Sequence, residues 1–225
     1  FSLPFLCEDR TQAERLVNSE FAREISMDSL KSGATILGIG DAGGFRQFSN
    51  SVRMIRRPED LRGLKMRSNG MDTINKTLEA LGAEVMTVPY NDLYMALKSG
   101  AIDGQENPWV NSSGMRFYEV QKYFTEVNYQ FHPEPFYVNT RWYESLPSEY
   151  QEILAECTEE MMKENNRLID ENEVQAMENI RANAEIYTLS REERQAFVEA
   201  TQVVYEEYMD NGLLTMDDLA RMKRI

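Results

Sequence analysis

Two arginines and an asparagine stand at the ends of short runs that read as β-strands. Arg46 follows the glycine-rich stretch Gly40-Asp41-Ala42-Gly43-Gly44, Arg67 closes Leu64-Lys65-Met66-Arg67, and Asn107 follows the run from Ala101 to Gln105. In open α/β sheets, ligands bind beyond the carboxyl ends of the strands. A guanidinium is a planar fork of donors that matches the two oxygens of a carboxylate, so two guanidiniums and an amide placed there could hold a small organic anion. Tyr90, just past the run that ends at Val88, adds an aromatic face. Trp109, directly after Asn107-Pro108, could cap such a cleft with its ring or could equally be core packing. From pattern alone, an arginine at a strand end is more often a surface residue or half of an ion pair.

Other chemistry finds little support. His132 is the single histidine, so a Ser-His-Asp triad or a multi-histidine metal site would hang on one residue. Cys7 and Cys157 form no CxxC and no Cys/His ligand spacing, and they do not indicate a compartment. There is no GxSxG, P-loop or HExxH. Gly38-Ile39-Gly40-Asp41-Ala42-Gly43 has the glycine spacing of a dinucleotide fingerprint, but a strand-like piece follows it where a helix is required. An enzyme built around Arg67 would have only Glu106 and Tyr90 nearby as acid or base. No cofactor and no metal are expected. With 24 basic against 38 acidic side chains, the formal charge of −14 argues against nucleic acid, whose affinity is built from clustered Lys and Arg. No apolar run approaches the roughly 20 residues that span a bilayer, which excludes direct membrane insertion of this stretch.

The elements that position these residues alternate. A helix is predicted over about 11–31, capped by Asp9 or Thr11 and stopped by Gly33, followed by a strand over 35–39, a glycine loop and a short extended piece over 45–49. Pro58 opens a helical turn. Then come strand 64–67, helix 71–81, strand 84–88, helix 92–99 and strand 101–105, with Gly82, Pro89, Gly100 and Asn107-Pro108 as the punctuation. These are consecutive βαβ units, hence a parallel or mixed sheet flanked by helices. A long helical pattern runs from Pro147 to about Asn183, and Ser190 with Glu193 forms a capping box for a further helix that Gly212 stops.

Five phrases in order, Gly43-Gly44-Phe45-Arg46-Gln47-Phe48, Arg57 to Arg67, Leu81-Gly82-Ala83 with Pro89 to Tyr94, Asp103 to Pro108 and Phe117 to Tyr123, resemble the signature of the substrate-binding proteins of tripartite ATP-independent periplasmic (TRAP) transporters, the DctP-like family. The resemblance covers essentially the whole chain. It implies an α/β, two-lobed periplasmic-binding-protein fold whose lobes are discontinuous: 1–44 a partial first lobe, 45–133 the second lobe, 134–172 first lobe and bridging helix, 173–225 second lobe and C-terminal helices. It implies that Arg67 pairs with the substrate carboxylate, that Arg46 and Asn107 line the same cleft, and that Tyr90 packs against the ligand. Trp109 and Glu134, the latter in His132-Pro133-Glu134-Pro135 near the expected crossover between lobes, are further candidate contacts. Gly70 stands three residues after Arg67, where sialate-binding members carry Asn, which argues against a sialic acid. The implied function is capture of a small organic carboxylate outside the cytoplasm and its delivery to TRAP membrane subunits driven by an ion gradient, with no bond made or broken. Family members carry further sequence ahead of a phrase like Leu3-Pro4-Phe5-Leu6, so the expectation is a chain that begins partway through the first lobe, with no signal peptide in the stretch given. The alternatives are a ligand-sensing domain of the same fold and a truncated receptor without a working site.

Overall fold

In the computed structural model, which describes residues 1–225, side-chain caps decide where the first helices start. The Asp9 carboxylate accepts the Gln12 N–H to open α1 (Arg10–Val17), and the Ser19 hydroxyl accepts the Ala22 N–H to open α2 (Glu20–Met27). The single helix expected over 11–31 is therefore two helices and a 3-10 turn, Asp28–Ser32. Ser19 has extended backbone and breaks the run, which lets Leu16 and Val17 and then Phe21 and Ala22 be buried together.

The glycine stretch does not interrupt the strand that contains it. β1 (Ala34–Asn50) is continuous for 17 residues, where a strand, a loop and a second extended piece were expected. The glycines instead form a bulge: the pairing of β1 with β5 (Tyr123–Asn139) passes from Asp41↔Pro133 to Phe45↔Phe131, so Ala42, Gly43 and Gly44 stand opposite His132 alone. Gly43 and Gly44 take φ of 127° and 90° there, a region L side chains avoid. The Asp41 carboxylate accepts both of their N–H groups, at 2.9 and 2.5 Å. His132-Pro133-Glu134-Pro135 is accordingly strand. Proline fits because β6, the other neighbour of β5, pairs only with Tyr123–Glu126, so no ladder bond is lost on that side.

The two crossovers expected in the middle of the chain are present. β2 (Lys65–Ser68), α3 (Asp72–Ala80), β3 (Glu84–Thr87), α4 (Tyr90–Ser99) and β4 (Gly104–Pro108) follow one another, and β2 pairs in parallel with both β3 and β4. β4 starts later than the expected 101–105 because Asp103 is used as a turn: its carboxylate accepts the Lys65 N–H at 2.8 Å and its carbonyl the Ser51 N–H at 3.0 Å. After α5 (Trp109–Gly114) come β5 and α6 (Thr140–Glu144). α7 (Ser148–Arg181) follows, 34 residues long as its pattern predicts. The chain ends with β6 (Glu185–Thr188), α8 (Arg191–Ala200), α9 (Gln202–Asp210) and α10 (Met216–Lys223). The Ser190–Glu193 capping box is formed, but the helix it opens ends at Ala200 and α9 is separate.

The sheet is mixed, with six strands in the order β3-β2-β4-β1-β5-β6. Because β4 pairs with β1 only over Arg46–Asn50, the half formed by Ala34–Asp41 and Pro133–Asn139 is a two-stranded ribbon. α7 serves both halves. Thr158 and Met162 pack closely on Gly38 and Gly40 of the ribbon, whereas Ala176 and Ile180 enter the core of Leu93, Leu97, Trp109, Phe117 and Phe124. No helix is long and apolar enough to cross a membrane.

Candidate functional site

Taken in sheet order, β2, β4, β1 and β5 carry Arg67, Asn107, Arg46 and Gln130 at one end of the sheet. Arg46 is the ladder partner of both Pro108 and Gln130, and Asn107 that of Gln47. The positions are set by the crossovers: two βα turns bring the carboxyl ends of β2 and β4 together, and the glycine bulge starts the second half of β1 at Phe45-Arg46.

Arg46 is 1% exposed and is held through its Nε and Nη2. Its Nε and Nη2 donate to the two carboxylate oxygens of Glu106, the Nη2–Oε1 bond being 2.8 Å, and Nη2 also donates to the Glu106 carbonyl at 3.0 Å and to Asn107 Oδ1 at 3.3 Å. The Tyr129 hydroxyl donates to the same carboxylate at 2.5 Å. Burial by itself would lower the Arg46 pKa, but the Glu106 charge and hydrogen bonds more than offset it, and the pKa is raised. Burial also drives the Tyr129 phenol well above its ordinary value, with the Glu106 charge acting in the same direction, so it stays a donor.

Arg67 is 3% exposed and stands differently. Its Nε donates to the Val88 carbonyl at 2.8 Å, and the guanidinium lies 5.9 Å from the Tyr90 ring centroid. Its Nη groups donate to no protein atom, and no carboxylate forms an ion pair with it. Burial lowers its pKa, Glu106 opposes this, and the neighbouring Arg46 charge adds to the lowering. Tyr90 is tied down by a hydrogen bond from its hydroxyl to the Asn111 carbonyl at 3.2 Å. Asn107 accepts from Arg46 and donates to Gln105 Oε1 at 2.5 Å, and Gln105 donates in turn to Ser49 Oγ at 2.7 Å.

Four of the residues singled out from the sequence, Arg46, Arg67, Asn107 and Tyr90, are thus brought together. Two are not. Trp109 is 1% exposed and stacks on Phe124, with centroids 6.2 Å apart, inside the core. Glu134 is exposed on the ribbon opposite Gly40, and no hydrogen bond or ion pair joins it to the arginines. Sequence reasoning offers Glu106 only as an acid or base near Arg67, and it singles out neither Tyr129 nor Gln130. The signal for Glu106 was the run Gln105-Glu106-Asn107, polar yet framed as a strand, which can be buried only if its members find partners. A cavity of about 660 Å³ lies elsewhere, between α2, the ribbon and α7, and includes none of these residues.

Two halves threaded by the same pair of long strands and spanned by one helix, with an unneutralised guanidinium at the strand ends, make up a two-lobed fold of the periplasmic-binding-protein type. The chain belongs to the DctP family, the bacterial extracellular solute-binding proteins of family 7, whose family model matches residues 1–211. It is 30% identical over 212 residues to the C4-dicarboxylate-binding periplasmic protein DctP of Vibrio cholerae, covering 92% of this chain and 62% of that protein. Among solved structures, a TRAP periplasmic solute-binding protein of Shewanella oneidensis with bound succinate superposes with a TM-score of 0.92 at 27% identity, covering 99% of this chain and 72% of that one. One of Ralstonia eutropha with bound (S)-2-acetolactate gives 0.90 at 32% identity, covering 98% and 71%. These are solute-binding proteins, not enzymes, and the DctP relatives are periplasmic. The chain spans less than two thirds of the length of the Vibrio cholerae relative.

Proposed function

We propose that this chain is the ligand-gripping part of a TRAP-type receptor that captures a small organic carboxylate in the periplasm and hands it to ion-gradient-driven membrane subunits. The observation that carries the proposal is the state of Arg67: a buried guanidinium whose Nη fork meets no protein anion. A buried charge is tolerated when it is paired, and a ligand carboxylate is the partner that matches the fork. Arg46 and Asn107 would add donors beside it, and Tyr90 would support the Arg67 guanidinium from below. In this reading residues 1–44 and 134–172 lie in one lobe and 45–133 and 173–225 in the other, with the β1 bulge and His132 at the crossover, so that closure excludes water and strengthens the ion pair. Relatives of comparable similarity hold succinate, β-D-galacturonate and (S)-2-acetolactate, which share a carboxylate and little else.

The test is isothermal calorimetry of the chain against a panel of dicarboxylic, uronic, keto and hydroxy acids. Saturable binding of one acid class, reduced at least a hundredfold in Arg67→Ala, is the expected result. Binding that Arg67→Ala leaves intact would remove Arg67 from the site, and no binding of any acid would overturn the assignment for this chain.

A further inference from the structure

Half of the chain's excess charge sits on one helix. α7 carries ten carboxylates against three cations, a net −7 out of the −14 of the whole chain. It also carries an exposed apolar stripe. Tyr150, Ile153, Cys157, Met161 and Leu168, spaced by 3, 4, 4 and 7 residues, fall on one side of the helix. Tyr150, Ile153, Met161 and Leu168 are between 42% and 54% exposed, and Cys157 is exposed as well. This is not the side that packs on the ribbon, where Thr158 and Met162 meet Gly38 and Gly40. At 1.5 Å per residue the stripe is about 27 Å long. Glu159, Glu164 and Glu171 are held by Lys163 and Arg167, whereas Glu149, Glu156 and Glu160 run alongside the stripe, exposed and in no ion pair.

Apolar side chains recurring every 3 or 4 residues form the seam into which a second helix packs, and the charges flanking such a seam choose the partner. A second copy of this chain would set −7 against −7 along the seam, and an anionic lipid surface would be repelled in the same way. A helix with an apolar face bordered by lysine or arginine gains on both counts, because it covers the stripe and neutralises the row of Glu149, Glu156 and Glu160. We infer that the outer side of α7 is a docking surface for a basic amphipathic helix of another protein. None of its residues belongs to the carboxylate site, so it stands or falls independently of the function proposed above.

The probe is a three-heptad peptide with leucine at the a and d positions, lysine at e and g and alanine elsewhere. Its glutamate-for-lysine counterpart and a scramble of the lysine peptide are the controls. Calorimetry on the unmodified chain should show saturable binding of the lysine peptide, at least tenfold tighter than of either control. The bound peptide should slow alkylation of Cys157 by N-ethylmaleimide at least fivefold; Cys7 is buried and does not compete. Ile153→Ser combined with Met161→Ser leaves every charge in place and should weaken binding tenfold, with the unfolding midpoint unchanged. Undiminished affinity in that variant, or equal affinity for the scramble, reduces the contact to charge attraction and overturns the inference. Unslowed alkylation puts the peptide elsewhere on the chain, with the same result. A dimer in sedimentation that the double variant dissolves makes the occupant a second copy, and binding to phosphatidylglycerol vesicles that the double variant loses makes it a membrane; either one displaces the basic helix. Should the double variant not fold, the choice among the three peptides and the protection of Cys157 still decide on the wild-type chain.

Discussion

Arg46 holds both oxygens of the Glu106 carboxylate. The two side chains are almost wholly enclosed, and the pair neutralises itself. Arg67, close enough to Arg46 and Glu106 for their charges to act on it, is left with the surplus positive charge. Two buried cations and one buried anion give a site one negative charge short of balance. That imbalance is local, and it stands in a chain whose overall charge is −14. Long-range attraction therefore does not bring an anion here, and the site depends on close contact and desolvation.

Opposite effects on stability are predicted for two substitutions whose side chains feel each other's charge. Arg67→Met removes a desolvated charge that has no protein anion, so thermal and urea unfolding should show stability unchanged or raised, while carboxylate binding is lost. Glu106→Gln leaves Arg46 buried without its anion, and breaking one side of a buried pair costs about 3–5 kcal/mol. Equal destabilisation by both would mean that Arg67 has a structural partner.

Much of this was legible beforehand, and the exceptions have physical causes. Arg67, Tyr90 and Asn107 sit where glycine and proline punctuation puts strand and helix ends, and local rules suffice for that. The continuity of β1 was not legible, because Gly40 to Gly44 carry the signature of a loop. Only the partner strand and the Asp41 carboxylate, which binds the Gly43 and Gly44 amides, turn the stretch into a bulge. Glu106 was weighed as an acid or base; its role as counter-ion to Arg46 depends on pairing Phe48 with Glu106 across strands far apart in sequence. Trp109 was undecidable from pattern, since a ring after a proline serves a core as well as a cleft.

Trp109 and Glu134 give a second contrast. Trp109→Ala empties a fully buried site in the core shared with Phe124 and should cost about 3–5 kcal/mol by denaturant unfolding. Glu134→Ala removes an exposed side chain and should fall within about 0.5 kcal/mol of wild type. Ligand affinity should be unchanged in Glu134→Ala; a tenfold loss would place that carboxylate in the site after all.

The bulge should be intolerant of a methyl group. A Cβ at Gly43 would clash with Asn111 Oδ1 and lie 3.1 Å from Pro108, at a φ of 127°. Gly212 also has positive φ, 69°, but a Cβ there meets nothing within 4 Å. Gly212→Ala should therefore show backbone strain alone, about 1–2 kcal/mol. Gly43→Ala should add the clash and lower the unfolding midpoint further, and it should weaken ligand binding because Arg46 begins two residues past Gly44. Equal midpoints for the two variants would show that Asn111 gives way freely.

Acid should act on the crossover in two opposing directions. Burial, with Arg46 adding to it, pulls the His132 pKa down to about 3. Between the ordinary value near 6.5 and that figure, the unfolded chain binds a proton that the folded chain refuses. This contribution is complete above pH 6.5 and is lost as pH falls, by at most about 1.4 kcal/mol per pH unit. Asp41 has the opposite sign. Burial raises its pKa, its bonds from the Gly44 and Gly43 amides and the Arg10 charge only partly counter this, and the folded chain holds the proton more tightly than the unfolded one. Its contribution to stability therefore grows as pH falls through the window above the ordinary aspartate value. Urea unfolding from pH 7 to pH 4 should separate the two: relative to wild type, His132→Gln gains stability steadily as pH drops, and Asp41→Asn loses it. A His132→Gln curve parallel to wild type over that range would mean that the ring at the crossover is solvated and titrates normally, and the neutral imidazole would have to be given up.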